Sequence, residues 1–130
     1  METLSKTELA IMEYIWRLEK CFLNDLISIL PKPKPAKTTL ATLLKRMQNK
    51  NFVGYTTYGN SRQYYALISK EDYFAKTFKS IVSIHFQDSY KEFGLFFAEN
   101  ANLNLSELVE LKSALESEIE KFKNSEAVFY

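Results

Sequence analysis

Residues 36–68 read AKTTLATLLKRMQNKNFVGYTTYGNSRQYYALI. Leu40, Leu43, Leu44 and Met47 recur at i, i+3, i+4 and i+7, the spacing of one buried helical stripe. At about 100° per residue the opposite face centres on Thr38, Thr42, Lys45 and Asn49, with Ala41 and Arg46 flanking. That face is small, polar and basic, and it carries no acid. Phe52-Val53-Gly54-Tyr55-Thr56-Thr57-Tyr58 then reads as a β-branched and aromatic strand, Gly59-Asn60-Ser61 as a turn, and Arg62 to Ile68 as a returning strand. A hairpin placed directly after such a helix is the wing of a winged helix-turn-helix.

The residues upstream supply the other two helices of that unit. Ser5-Lys6-Thr7-Glu8 is a capping box with Ser5 as N-cap, and Leu4 and Leu9 are placed as a hydrophobic staple. Leu9, Met12, Ile15 and Trp16 follow at helical spacing, which predicts a first helix to about Leu18. Cys21-Phe22 reads as a short extended link. A second helix is expected from about Leu23 to Leu30, with Leu26, Ile27 and Leu30 on one side. It must stop there, because Pro31, Pro33 and Pro35 follow. The segment Pro31-Lys32-Pro33-Lys34-Pro35 is a stiff turn whose lysines face water or phosphate.

The net charge of +1 hides an asymmetry. Residues 1–70 carry eleven Lys/Arg and five Asp/Glu, whereas residues 71–130 carry six and eleven. Between Asp25 and Glu71 stand Lys32, Lys34, Lys37, Lys45, Arg46, Lys50, Arg62 and Lys70, with no acidic residue. Solvated faces usually mix both signs, so this stretch points to a polyanion. The outer face of the third helix has the groups a major groove asks for: hydroxyls and an amide for base edges, cations for guanine or phosphate, and a methyl for thymine. Thr38, Thr39 and Thr42 are expected on phosphates and base edges, with Lys45 and Arg46 supplying charge. Lys32, Lys34 and Lys37 are expected on phosphates. Arg62, near the tip of the wing, is placed to enter a minor groove or grip a phosphate. The wing tyrosines read as packing rather than base stacking.

The remainder reads as helices from about Lys70 to Gln87, from about Ser89 to Glu99, and from Asn104 onward. Phe74, Phe78, Ile81 and His85 share one stripe, and Tyr90, Phe93 and Phe97 another. Leu108, Leu111, Leu115, Ile119 and Phe122 follow the cap pattern Asn104-Leu-Ser-Glu107 at 3–4 spacing. A segment of this length cannot easily bury so many large apolar groups alone. Burial against a second copy is therefore expected, through Phe74, Phe78, Ile81, Phe93, Phe97, Leu108, Leu111 and Leu115.

Enzymatic function has almost no support in the sequence. Its one histidine, His85, lies on an apolar stripe, and no metal cluster, phosphate loop or nucleophile motif appears. No cofactor or metal is expected. Cys21 is the only cysteine, so there is no internal disulfide. With neither a signal-peptide pattern nor an apolar run near the ~18 residues of a membrane span, a cytoplasmic setting without membrane insertion is expected. The competing reading is a winged-helix protein-interaction module without DNA contact, which would need no uniform charge.

Five segments resemble the penicillinase-repressor family, the BlaI/MecI/CopY-like bacterial regulators. Leu4-Ser5-x-x-Glu8-x-x-Ile11-Met12-x-x-Ile15-Trp16 resembles the family's opening helix. Thr39-Leu40-Ala41-Thr42-Leu43-Leu44-Lys45-Arg46-Met47-x-x-Lys50 is similar to its recognition helix and is the most specific match. Arg62-x-Tyr64-Tyr65 resembles the returning wing strand, Phe97-Ala98-Glu99-Asn100 the segment that sensor-triggered cleavage targets, and Glu107-Leu108-x-x-Leu111 the start of the last helix. The resemblance implies a mostly α fold with a small β wing. Residues 1–69 would form a winged helix-turn-helix DNA-binding domain and residues 70–130 a helical dimerisation domain. It implies a homodimeric transcriptional repressor on a palindromic operator. In the antibiotic-resistance branch it implies release by proteolysis, through a membrane-bound sensor metalloprotease, at Phe96–Phe97. Asn51 stands where the family usually has Gly, Leu67 where it has Pro, and Phe96 where that branch has Asn. The C-terminal half lacks the cysteine motifs that bind metal in the copper branch.

Overall fold

The computed structural model describes residues 3–127; Met1, Glu2 and the last three residues of the expected second domain lie outside it. The elements run α1 (Lys6–Leu18), β1 (Lys20–Phe22), α2 (Leu23–Ile29), α3 (Lys37–Asn49), β2 (Val53–Tyr58), β3 (Ser61–Ala66), α4 (Lys70–His85), α5 (Tyr90–Asn100) and α6 (Leu105–Ala127). The architecture is mostly helical with a small antiparallel sheet, a winged helix followed by helices, as the sequence predicts.

The capping box of α1 is closed from both sides. Glu8 N donates to Ser5 Oγ at 3.2 Å, and Ser5 N donates to Glu8 Oε1 at 2.8 Å. One face of α1 then buries Ile11, Met12 and Ile15. Against it lies the stripe of α3, in which Leu40, Leu44 and Met47 are fully buried. Each such side chain contributes on the order of 1.5–3 kcal/mol relative to exposure. α3 ends where Asn51 takes a left-handed φ of 65°. There Phe52 N donates to Met47 O at 3.0 Å and Asn51 N to Gln48 O at 2.9 Å, which together close the last turn. Asn tolerates this conformation, so it does the work of the family's usual glycine.

Cys21-Phe22, expected only as an extended link, belongs to an edge strand. β1 pairs antiparallel with β3, Cys21 opposite Tyr64, in a sheet of order β1-β3-β2. The hairpin turns tightly at Gly59-Asn60, with Tyr58 opposite Ser61 and Gly59 at φ 59°. α2 starts on a cap the sequence reading missed: Phe22 N donates to the Asp25 carboxylate at 2.7 Å. Trp16 Nε1 donates to Ile68 O at 2.9 Å, tying α1 to the exit of the wing.

The chain divides into two compact units after Phe78. Tyr73 lies in the core of the first, and Phe74 packs against that core. Phe74, expected at a dimer interface, thus has its apolar neighbours within the first unit, beside Trp16 and Tyr73. In the second unit the Asn104 cap falls as expected, with Glu107 N donating to Asn104 Oδ1, and α5 starts on a cap at Ser89, whose Oγ accepts from Glu92 N. His85, on the apolar stripe of α4, is exposed at the end of that helix. Among the described residues Val82 is the one fully buried apolar side chain of this unit, and no helix is long and apolar enough to cross a membrane.

Glu8 is the buried charge of the first unit, 1% exposed. Its Oε1 meets Lys50 Nζ at 2.8 Å, and Lys50 also donates to Thr3 O at 3.2 Å. Burial opposes ionisation of Glu8, but the bonds from Lys50 and Ser5 outweigh it and hold the carboxyl below its ordinary value near 4.5. Its stabilisation is therefore complete above that ordinary value and is lost as pH falls through the lowered, folded one. Replacing Glu8 by Gln should lower the urea midpoint at neutral pH by the equivalent of roughly 1–3 kcal/mol. The gap from the parent chain should narrow well below pH 4.5, and an equal gap at both pH values would refute this account.

Candidate nucleic-acid interface

With Leu40, Leu44 and Met47 turned inward, α3 presents Thr38, Thr39, Ala41, Thr42, Lys45, Arg46 and Asn49 to solvent, all exposed. The structure thus brings the expected reading face together on one side of one helix. Thr42 Oγ1 donates to Thr38 O at 2.9 Å. The hydroxyl proton is thereby occupied within the helix, while the methyl and an oxygen lone pair stay available. Among the described residues no acid pairs with Lys32, Lys37, Lys45 or Arg46.

Three other cations of the acid-free stretch are already engaged. Lys50 is held by Glu8. Lys70 meets Glu13 at 2.9 Å across an exposed surface, a pair of small energetic value. Lys34, expected on a phosphate, donates to the carbonyls of Ile27, Ser28 and Leu30. Sequence spacing cannot show these partners, because the two acids lie in α1, outside the stretch, and the carbonyls belong to backbone. The stretch is acid-free along the chain and partly neutralised in space.

Arg62 sits on β3 beside the wing turn with its guanidinium 4.3 Å from the Tyr55 ring centroid. Tyr55 therefore acts as a platform that narrows the positions open to Arg62. Tyr64, by contrast, is buried in the core. Where the start of α3 faces the wing turn, a cleft of about 290 Å³ is lined by Asn24, Lys37, Asn60, Ser61 and Arg62 over Phe22 and Tyr64. It joins Lys37 and Arg62, which lie far apart in sequence, and adds Asn24 and Asn60, which sequence reasoning had used only as helix and turn residues. Two cations flanked by small amide and hydroxyl donors suit a phosphate oxygen.

The expected scissile bond, Phe96–Phe97, lies within α5. Phe96 O accepts from Asn100 Nδ2 at 2.8 Å, an extra tie on that peptide unit. Phe96 and Phe97 are both exposed, and the Phe96 ring lies tilted against Phe86 with centroids 5.5 Å apart.

The family model described as penicillinase repressor matches residues 4–117 of this sequence. The chain belongs to the penicillinase repressor family. It is 26% identical over 113 residues to the methicillin resistance regulatory protein MecI of Staphylococcus aureus (strain N315), covering 86% of this chain and 92% of the relative. It is 27% identical over 113 residues to a penicillinase repressor of Staphylococcus aureus, covering 86% and 90%. A solution structure of the DNA-binding domain of the repressor BlaI matches 56% of this chain and 94% of its own, at 27% identity and a TM-score of 0.48.

Cys21 takes no part in the interface. Burial, with Asp25 adding to it, pushes its thiol up to about 11. The native protein should therefore resist a thiol-specific reagent at mildly alkaline pH and react fully once unfolded in urea. Rapid labelling of the folded chain would show that β1 opens in solution.

Proposed function

We propose that this family member is a DNA-binding transcriptional repressor that lays α3 in the major groove. The observation that carries the reading is the face of α3: exposed threonines and an asparagine, with Lys45 and Arg46 free of any acid among the described residues. Arg46 offers a planar fork suited to the O6 and N7 of guanine. Thr38, Thr39 and Thr42 bring hydroxyls and methyls to base edges and phosphates. Lys32 on the turn, Lys37 at the start of α3 and Arg62 on the wing surround that face, where phosphates pass. Binding of this kind releases counterions, so affinity falls steeply with salt.

The partner of the second unit is a second copy of the chain. Leu105 is 77% exposed, Phe122 69% and Leu115 56%, a density of bare apolar groups that a stable monomer does not leave in water. Leu108, Leu111 and Leu115 of α6, with Phe93 and Phe97 of α5, form the self-associating surface. A two-fold dimer carries two α3 helices, so its operator is a pseudo-palindrome with half-sites about one helical turn or a multiple apart. Cutting the second unit, as the resemblance implies for the antibiotic-resistance branch, would leave single heads without that avidity. A sensor protease would first have to unwind α5, because Phe96–Phe97 is helical and Asn100 holds the Phe96 carbonyl.

Gel-shift titration against the DNA upstream of the chain's own coding sequence, and against random duplex, tests the interface. Arg46→Ala should cost about 1–3 kcal/mol on the specific site and much less on random DNA. Lys37→Ala should weaken both about equally. Equal losses on the two DNAs for Arg46→Ala would remove its base-reading role, and a parent chain without any salt-sensitive shift would remove the DNA reading itself. The dimer has its own test in sedimentation equilibrium. Leu115→Glu should give a monomer whose operator affinity drops by roughly 10²-fold or more. A Leu115→Glu chain that still sediments as a dimer would rule out α6 as the interface.

A further inference from the structure

We infer that Lys34 is a positioning residue whose ammonium clips the open end of α2 and so sets the turn that aims α3. The inference rests on the DNA-binding reading for its consequence, though not for its geometry. α2 has seven residues, too few to be stable alone, and its last carbonyls have no partner within the helix. Pro31 forbids continuation. Lys34 reaches back and donates to Ile27 O at 2.6 Å, Leu30 O at 2.9 Å and Ser28 O at 3.1 Å. An ammonium has three donors, and all are spent on these carbonyls. The positive charge also sits at the negative end of the helix dipole.

The clip closes a ring from Ile27 through the turn to Lys34 and back. Pro31, Pro33 and Pro35 fix φ at three positions of that turn, so little backbone freedom remains once the ring is shut. α3 begins at Lys37, directly beyond it. Core burial of Leu26, Leu30, Leu40 and Leu44 packs α3 on α2, and at the turn itself the angle is reinforced by one side chain and three prolines. Lys32, two residues before Lys34, is exposed on the same turn and, among the described residues, has no such carbonyl partner. The two lysines of one short segment thus do different work: Lys32 meets phosphate and Lys34 holds the frame. For Lys34 to grip a phosphate it would have to release the end of α2.

The test uses the full chain with Lys34→Met, which keeps the stem and loses every donor, and Lys34→Gln, which keeps two donors without charge. In Lys34→Met, affinity for the upstream DNA should fall roughly tenfold. Random-DNA affinity and the slope of log K against log salt should stay at the parent's values. Lys37→Met serves as the contrast, its slope shallower by about 0.9. Lys34→Gln should recover part of the specific affinity. Without DNA, amide exchange at Leu30, whose N–H is bonded to Leu26 O at 3.0 Å, should quicken in Lys34→Met. A slope reduced by about 0.9 with equal losses on both DNAs would make Lys34 a phosphate contact and overturn the proposal. Unchanged exchange at Leu30 would overturn it as well. If Lys34→Met does not fold, Lys34→Gln carries both arms. A parent chain that binds neither DNA would end the DNA reading, and the exchange result would still decide the clip.

Discussion

The burial of Leu40, Leu44 and Met47 in the core they share with Ile11, Met12 and Ile15 is the constraint from which the rest of the first unit follows. A helix has one rotation about its axis that buries such a stripe. Once that rotation is set, Thr38, Thr42, Lys45 and Arg46 have nowhere to point but outward. The recognition chemistry is thus a by-product of packing, in the sense that no polar interaction is needed to display it. Asn51 finishes the work by stopping α3 with its left-handed turn, so that Phe52 and Val53 re-enter the same core and the wing starts in a defined direction.

Charge then divides by task. Glu8 and Lys50 form a nearly buried pair that spans from the first turn of α1 to the end of α3. A pair like this adds little net stability over an apolar equivalent, yet removing one partner strands the other. It ties the first turn of α1 to the end of α3, the two helices that share the core. Lys34 is consumed at the end of α2 and Lys70 on α1. The surface we propose for a polyanion is then a shorter set, Lys32, Lys37, Lys45, Arg46 and Arg62, around the outer face of α3 and the wing turn. Fewer free cations means a smaller salt slope than the sequence total implies, and a larger share of affinity resting on base-edge contacts.

Much of this was legible in the residues. Ser5, Glu8, Ser89 and Asn104 announce helix starts because capping is local chemistry. The Leu40 stripe announces rotation because helical periodicity is local geometry. β1 was not legible, since three residues carry no alternation and become a strand only by pairing with β3. Asp25 as a cap went unread because the residue it serves, Phe22, is not a cap type. The role of Lys34 was hidden for a different reason. Its partners are backbone carbonyls, which every sequence has everywhere, and only the fold says which of them are left open. A lysine just beyond a proline-terminated helix is the only sequence signal, and Lys32 carries it as well, so the fold alone tells the two apart.

The second unit shows the opposite balance. Its helices begin on good caps and run at the expected positions, yet Val82 alone among its described apolar residues is fully buried. Phe86 meets Phe93 and Phe96, which is a cluster but not a core. Secondary structure here is specified by sequence, whereas tertiary burial among the described residues is sparse. That division has a functional logic for a repressor. A head that folds on its own core displays the α3 face without help from the second unit, and in the dimer we propose its hold on DNA depends on whether two heads are joined. On that proposal stability and affinity reside in different parts of the chain, and a change in the second unit would alter DNA occupancy without unfolding the first.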